Sequence, residues 1–168
     1  MTPVRVTAGA AADAPVLAPE LARVAAATFP LACPPSVAAA DIAAFVRAHL
    51  SEHRFRRYLA DPYRLVLTAS AEGDVVGYAM LVRAEPDVEL SKIYVLPTHH
   101  RSGAAGALIE AGIDWAAQRG ARGVWLGVNQ NNLRAQRFYR KHGFEVTGTR
   151  AFPLGQSVQD DFVMRREI

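Results

Sequence analysis

The chain has 168 residues, 51% of them apolar and 21% charged, with a formal net charge of +3 and one cysteine, Cys33. A chain of this length folds as one domain, residues 1–168, and removes roughly 70% of its unfolded surface from water, so it needs neither disulfides nor a structural metal; one thiol can supply neither. The small, dispersed positive charge argues against nucleic acid as a main partner. No run approaches the ~18 apolar residues of a membrane span, and the N-terminus lacks the basic start and apolar core of a secretion signal, so a cytoplasmic address is expected.

Val4 to Thr7 alternates as a short strand does, and Val16, Leu17, Leu21, Val24 and Phe29 recur at helical spacing over Ala14 to Phe29. Pro30, Pro34 and Pro35 are expected to stop that helix, after which Ser36 is placed to cap a second helical stretch to about Leu59, broken near Ser51. Tyr63 to Ala69 and Val75 to Val82 are strand-like and flank a turn at Ala71 to Asp74, which predicts a hairpin. Val88 to Val95 is a further strand, Gly103 to Gln118 a helix and Val124 to Val128 a strand. Asn129 to Asn132 leads into a helix that Gly143 ends, and strands are expected at Glu145 to Phe152 and Asp161 to Arg166. The order predicts an α/β fold, a mixed sheet with a strand–loop–helix unit at its centre.

That unit carries the chemical signal. Ile93-Tyr94-Val95-Leu96-Pro97 empties into Thr98-His99-His100-Arg101-Ser102-Gly103-Ala104-Ala105-Gly106, which opens a helix. A helix start presents unpaired N–H groups and partial positive charge, and small residues let an anion approach the main chain. Small residues are also what close helix-to-sheet packing selects. The loop has neither the Gly-Lys-Ser/Thr ending of a nucleoside triphosphate loop nor the spacing of a dinucleotide fingerprint.

With Asn132, Ala135, Phe138-Tyr139 and Gly143-Phe144 following, the chain resembles the GCN5-related N-acetyltransferase (GNAT) superfamily. His100-Arg101-Ser102-Gly103-Ala104-Ala105 fits that family's acyl-CoA loop at Gly103 and Ala105 and departs from it at His100, where Gln or Arg is usual; Arg101 is expected to supply part of the missing charge. Leu126-Gly127-Val128, Phe152-x-Leu154-Gly155 and Asp161-Phe162-Val163-Met164 are most similar to the PaiA-type spermidine/spermine acetyltransferase branch.

The resemblance implies a mostly antiparallel twisted sheet of about seven strands flanked by helices, with a splayed central strand pair. It implies acetyl transfer from acetyl-CoA to a primary amine, a small molecule such as a polyamine or a protein or peptide amine, by direct attack in a ternary complex and without a metal. Cofactor contacts are then expected from Ile93, Tyr94, Val95, His100, Arg101, Ser102, Gly103, Ala104, Ala105, Gly106, Asn132 and Tyr139. The Tyr139 phenol takes the family's general-acid position, although a buried aromatic with a bonded hydroxyl reads the same way.

An alkylammonium has a pKa near 10.4, so the reaction also needs a base or a water chain. Glu89 is the leading candidate, because alternation would place it on one face with Ser91 and Ile93; a solvent-facing glutamate beside Glu85 and Asp87 is the plain alternative. His49 and His53 are spaced for a metal pair but have no third ligand in sight. Cys33 reads as a small apolar filler, and Trp115 and Trp125 as packing. The segment from Ala14 to Leu59 carries only Glu20, Asp41 and Glu52 as acids, which argues against a polyamine acceptor. Other readings are a non-catalytic acyl-CoA sensor and an acetyltransferase acting on a charged RNA. Relatives pair through their last strands, so a homodimer is an expectation as well.

Overall fold

A computed structural model describes residues 3–168. Strand β1 (Arg5–Ala8) leads through a 3₁₀ turn into helix α1 (Ala14–Ala32), followed by α2 (Ala39–His49) and α3 (Glu52–Ala60). Then come β2 (Arg64–Ala71), β3 (Asp74–Ala84), β4 (Asp87–Val95), α4 (Ala104–Gln118), β5 (Gly123–Asn129), α5 (Leu133–Lys141), β6 (Glu145–Leu154) and β7 (Ser157–Glu167). The strands form one seven-stranded sheet in the order β1-β2-β3-β4-β5-β7-β6, antiparallel throughout except for the β4–β5 pair. This is the α/β architecture expected, with helices on both faces. No helix among the described residues is long and apolar enough to cross a membrane.

Each face of the sheet carries its own core. Leu81, Val88, Leu90, Leu126, Val128 and Met164 point to one face and pack with Leu108, Ile109 and Ile113 of α4. Tyr78, Met80 and Val66 point to the other and pack with Leu21, Val24 and Phe29 of α1 and Phe55 of α3. Period-two alternation in the strands and apolar stripes on the helices are sufficient to generate both layers.

Local chemistry sets the boundaries. Ser51 caps α3, its Oγ accepting from the N–H of Arg54 at 3.2 Å, which explains the break between α2 and α3. The β2–β3 hairpin turns through Glu72 (φ 53°) and Gly73 (φ 84°), the positive angles a tight two-residue turn demands. Asn132 caps α5, its Oδ1 accepting from the N–H of Ala135 at 3.1 Å.

Three local expectations are corrected. Pro30 does not end α1, which runs on to Ala32 with Pro19 and Pro30 inside it; Pro30 and Ala26 lie on the exposed side, where water can bond the carbonyl that proline leaves without a partner. Ser36 does not cap α2: it sits within the turn closed by the Val37 N–H on the Pro34 carbonyl, and Ala38 occupies the cap position.

The third correction bears on the site. The β3–β4 register slips between Met80 and Leu81, with Met80 opposite Lys92 and Leu81 opposite Leu90, so Ser91 is a bulge residue. Side chains beyond the bulge change face. Ile93 joins Val88 and Leu90 on the α4 face, whereas Lys92 and Tyr94 share the α1 face with Glu89. The common face expected for Glu89, Ser91 and Ile93 does not form.

Candidate active site

Strands β4 and β5 pair only at Val88 with Val124 and Glu89 with Trp125. Beyond that point β4 stays bonded to β3 as far as Val95, and β5 stays bonded to β7 as far as Asn129, so the two diverge. The wedge between them opens a cleft of about 440 Å³ that passes through the sheet. Its β4 wall is Leu90 to Val95, its β5 wall is Gly127 to Asn129, and Asn132, Ala135, Phe138 and Tyr139 of α5 line it as well. A splayed parallel pair leaves main-chain polar groups on the facing edges without ladder partners, a ready surface for an extended polar ligand.

The N-terminus of α4 stands at one end. Gly103 holds φ 86° at the helix cap and Arg101 holds φ 70°, so the loop turns sharply before the helix starts. Ser102 Oγ accepts from the Ala104 N–H at 3.2 Å, and the other first-turn N–H groups point out of the helix end, as they do at any α-helix start. His100 links this end to both walls. Arg134 Nη2 lies 2.9 Å from His100 Nδ1, and because guanidinium can only donate, Nδ1 accepts and Nε2–H donates to the Val95 carbonyl at 2.9 Å. The cation beside His100 is therefore Arg134 from α5; Arg101, the expected source of charge, does not line the cleft.

Tyr139 projects into the cleft from α5, its ring packed against Phe138 and Phe144 with centroids 5.5 and 6.0 Å away. Its hydroxyl has no hydrogen-bond partner among the described residues, and burial holds the phenol above its ordinary pKa, so it keeps its proton at neutral pH. Tyr94 is also pushed up, by burial first and then by the neighbouring Tyr139, Cys33 and Asp161. The Tyr94 side chain, expected from sequence to lend only its main chain, thus lines the site as well. Asn132 lines the cleft and spends Oδ1 on the helix cap, which leaves its amide donors for a ligand.

The opposite end opens on the α1–α3 face. Phe29 stacks on Phe45 at 4.6 Å, Phe45 lies 5.9 Å from Phe152, and Phe29 meets Tyr94 edge-on at 6.3 Å, forming an aromatic wall. Asp41 Oδ2 accepts from the Gln156 N–H at 3.3 Å and ties α2 to the β6–β7 turn above it. Polar groups at this end are Lys92, Arg150, Asp161 and Gln159. Burial raises the Asp161 carboxyl, which the Arg150 Nε at 3.2 Å only partly offsets. Cys33 lines the cleft too, its thiol on the Phe29 carbonyl at 3.4 Å and pushed by burial to about 11.

Of the residues singled out from sequence, Ile93, Tyr94, Val95, His100, Ala105, Asn132 and Tyr139 line the cleft. Arg101, Ser102, Gly103, Ala104 and Gly106 form the adjoining loop and first helical turn without lining it. Glu89 does not line it; the bulge at Ser91 brings Lys92 there instead. Lys92, Arg134, Arg150 and Asp161 went unnoticed as site residues. The one sequence signal for them was Gly127 inside a strand, which marks a close approach by another group: a Cβ there would collide with the Arg150 guanidinium. His49 packs against Phe45 with ring centroids 4.6 Å apart and the planes tilted, and among the described residues no group of three or more His, Cys, Asp or Glu side chains is placed to hold a metal.

Residues 31–144 match the family model described as the acetyltransferase (GNAT) family. The chain is 59% identical over 152 residues to an uncharacterized N-acetyltransferase of Mycobacterium tuberculosis, covering 90% of this chain and 97% of that one. It is 34% identical over 117 residues to the N-alpha-acetyltransferase RimI of the same organism, covering 67% of this chain and 72% of RimI. In structure it is similar to the PaiA N-acetyltransferase of Thermoplasma acidophilum in complex with coenzyme A, with a TM-score of 0.83 at 20% identity and 99% of each chain covered.

Proposed function

The chain belongs to the acetyltransferase (GNAT) family, and from that premise we propose that it transfers acetyl from acetyl-CoA to a primary amine by direct attack in the cleft between β4 and β5. The observation that carries this reading is the wedge itself, open through the sheet with a helix N-terminus at one end and a group of polar side chains at the other. The diphosphate of coenzyme A suits the N–H groups of Gly103 to Gly106, with Arg134 and the Arg101–Ser102 turn beside them. The pantetheine arm is extended and carries amides, so it suits the unpaired edge of Ile93 to Val95 and the Asn132 amide.

In this reading the amine nitrogen attacks the thioester carbonyl, the C–N bond forms, and the C–S bond breaks as its electrons return to sulfur. Main-chain N–H groups of the β4 edge stabilise the oxyanion that develops. The departing thiolate takes the Tyr139 phenol proton, which burial retains on the ring until it is needed. A proton must also leave the incoming nitrogen. With Glu89 outside the cleft, Asp161 is the carboxylate that lines it, and the rise in its pKa makes it a better base than an exposed aspartate.

RimI is named as an N-alpha-acetyltransferase, which makes an alpha-amine one acceptor type to compare, and the spermidine/spermine branch that the sequence resembles makes a polyamine the other. Titration calorimetry with acetyl-CoA, beside thiol release across an amine panel, tests the proposal. Saturable binding with amine-dependent thiol release supports it, binding without release would leave the sensor module, and an absence of binding would overturn both.

A further inference from the structure

Two arginines cross β5 on glycine steps. Arg165 of β7 passes over Gly123, where a Cβ would meet its guanidinium, and reaches Asp87 of β4 with Nε and Nη2 at 2.9 and 3.0 Å. Arg150 of β6 passes over Gly127 in the same way, on the same face of the sheet and one step further into the wedge. Its Nε is held by Asp161 at 3.2 Å, and neither terminal nitrogen has a hydrogen-bond partner among the described residues. Across the gap on β4 stands Lys92, another cation, where Arg165 finds a carboxylate.

Lys92 is as poorly matched. Its Nζ folds back on the carbonyl and hydroxyl oxygens of its neighbour Ser91 at 3.2 and 3.5 Å, and among the described residues no carboxylate comes within ion-pair distance. Burial lowers its pKa, the Arg150 and Arg64 charges add to that, and Glu89 opposes it. Two cations on facing walls of the cleft repel each other, and the one carboxylate that lines it among the described residues bonds Arg150 alone, so a further anion placed between them would relieve both. The diphosphate site proposed above is a separate one: the α4 N-terminus lies on the opposite face of the sheet from the side chains of Lys92 and Arg150.

We propose that the acceptor carries a carboxylate as well as its amine, and that Lys92 and Arg150 bind that carboxylate on the α1–α3 face of the cleft. This rests on the acetyltransferase reading above and names its substrate class. A carboxylate matches the planar fork of the Arg150 terminal nitrogens, with Lys92 closing the other side as a point charge. A polyamine is the wrong ligand here, because it would bring further cations to a cleft in which, among the described residues, the one lining carboxylate, Asp161, is already paired.

The test compares β-alanine, β-alaninamide and 1,3-diaminopropane, together with alanine and alaninamide, at saturating acetyl-CoA, with thiol release as the readout. Each acid is expected to exceed its amide in kcat/KM by about ten- to a hundredfold, the range a charge-assisted hydrogen bond supplies, with the diamine last. Lys92→Met and Arg150→Met should each reduce the acid-to-amide ratio about tenfold, and Lys92→Arg should restore most of it. Acetyl-CoA titration of each variant checks that it is folded. Amide or diamine acetylated as well as the acid, or a ratio unmoved in both variants, would overturn the proposal. If no amine releases thiol, the acetyl-transfer reading has failed by itself. The anion site is then decided by calorimetry of the two acids against the protein loaded with coenzyme A, where saturable binding lost in Lys92→Met supports it and no binding refutes it.

Discussion

Replacing Tyr139 by Phe removes one oxygen from the cleft and nothing else. The ring keeps its contacts with Phe138 and Phe144, and the lost hydroxyl has no protein partner to leave stranded, so stability should change by no more than about 0.5 kcal/mol. At roughly 2–4 °C per kcal/mol for a chain of this size, the melting temperature should move by about 2 °C or less. Turnover should fall much further. A positioned acid is worth about 10²- to 10⁴-fold, and a thiolate, whose conjugate acid has a pKa near 8.5, needs less help than an alkoxide, so the expected drop in kcat is about a hundredfold, at the low end. Thiol release at saturating acetyl-CoA measures kcat, and calorimetry should return an acetyl-CoA affinity within about threefold of the parent's. The sign of the pH effect follows from the proton the phenol carries. Burial raises its pKa, so the acid form persists, and the parent should show no alkaline loss of kcat from this group below the ordinary phenol value of about 10. A Tyr139→Phe enzyme with kcat within about threefold of the parent would show that the thiolate leaves without the phenol proton.

Gly127→Ala places a methyl group where the Arg150 guanidinium lies, and overpacking of this kind costs about 1–3 kcal/mol; thermal melts should show the loss, and adding Arg150→Ala should recover part of it, whereas purely additive effects would count against the crossing geometry. Cys33→Ser should keep kcat within about threefold, because a thiol at about 11 is roughly one part in 10⁴ thiolate at pH 7 and a poor acyl acceptor; acetylated Cys33 in intact-mass spectra after incubation with acetyl-CoA alone would contradict direct attack. Asp161→Asn should abolish the acidic limb of the kcat/KM profile and Glu89→Gln should leave it in place, and the reverse outcome would return the base to Glu89. The Asp87 carboxyl is held below its ordinary value, chiefly by the Arg165 hydrogen bond. A depressed folded-state pKa stabilises above the unfolded value of about 3.9 and is lost as pH falls through the folded one, so urea unfolding of Asp87→Asn should show lower stability at pH 7 and a shallower decline toward pH 3 than the parent.

Element order, the two-faced sheet and the helix opening at Gly103 were legible in the sequence because each depends on local periodicity or on one residue's φ preference. Asn132 was legible as a helix cap, whereas Tyr139 was singled out only through the resemblance to the acetyltransferase family, at its Phe138-Tyr139 pair. Pro30 misled because a proline's missing donor matters only where the orphaned carbonyl is buried, and burial is not written in the local sequence. Ser91 misled more consequentially: a single bulge residue inverts every later side chain of β4, and bulges arise from pairing between strands rather than from propensity within one.

Periodicity and alternation by themselves determined an α/β order of elements with a helix N-terminus at the end of a central strand. Whether that strand would part from its neighbour, and which charges would meet in the gap, was decided only in three dimensions. Lys92, Arg134, Arg150 and Asp161 come from β4, α5, β6 and β7, and their meeting depends on strand register and on Gly127 giving way beneath an arginine, neither of which is written in any one segment.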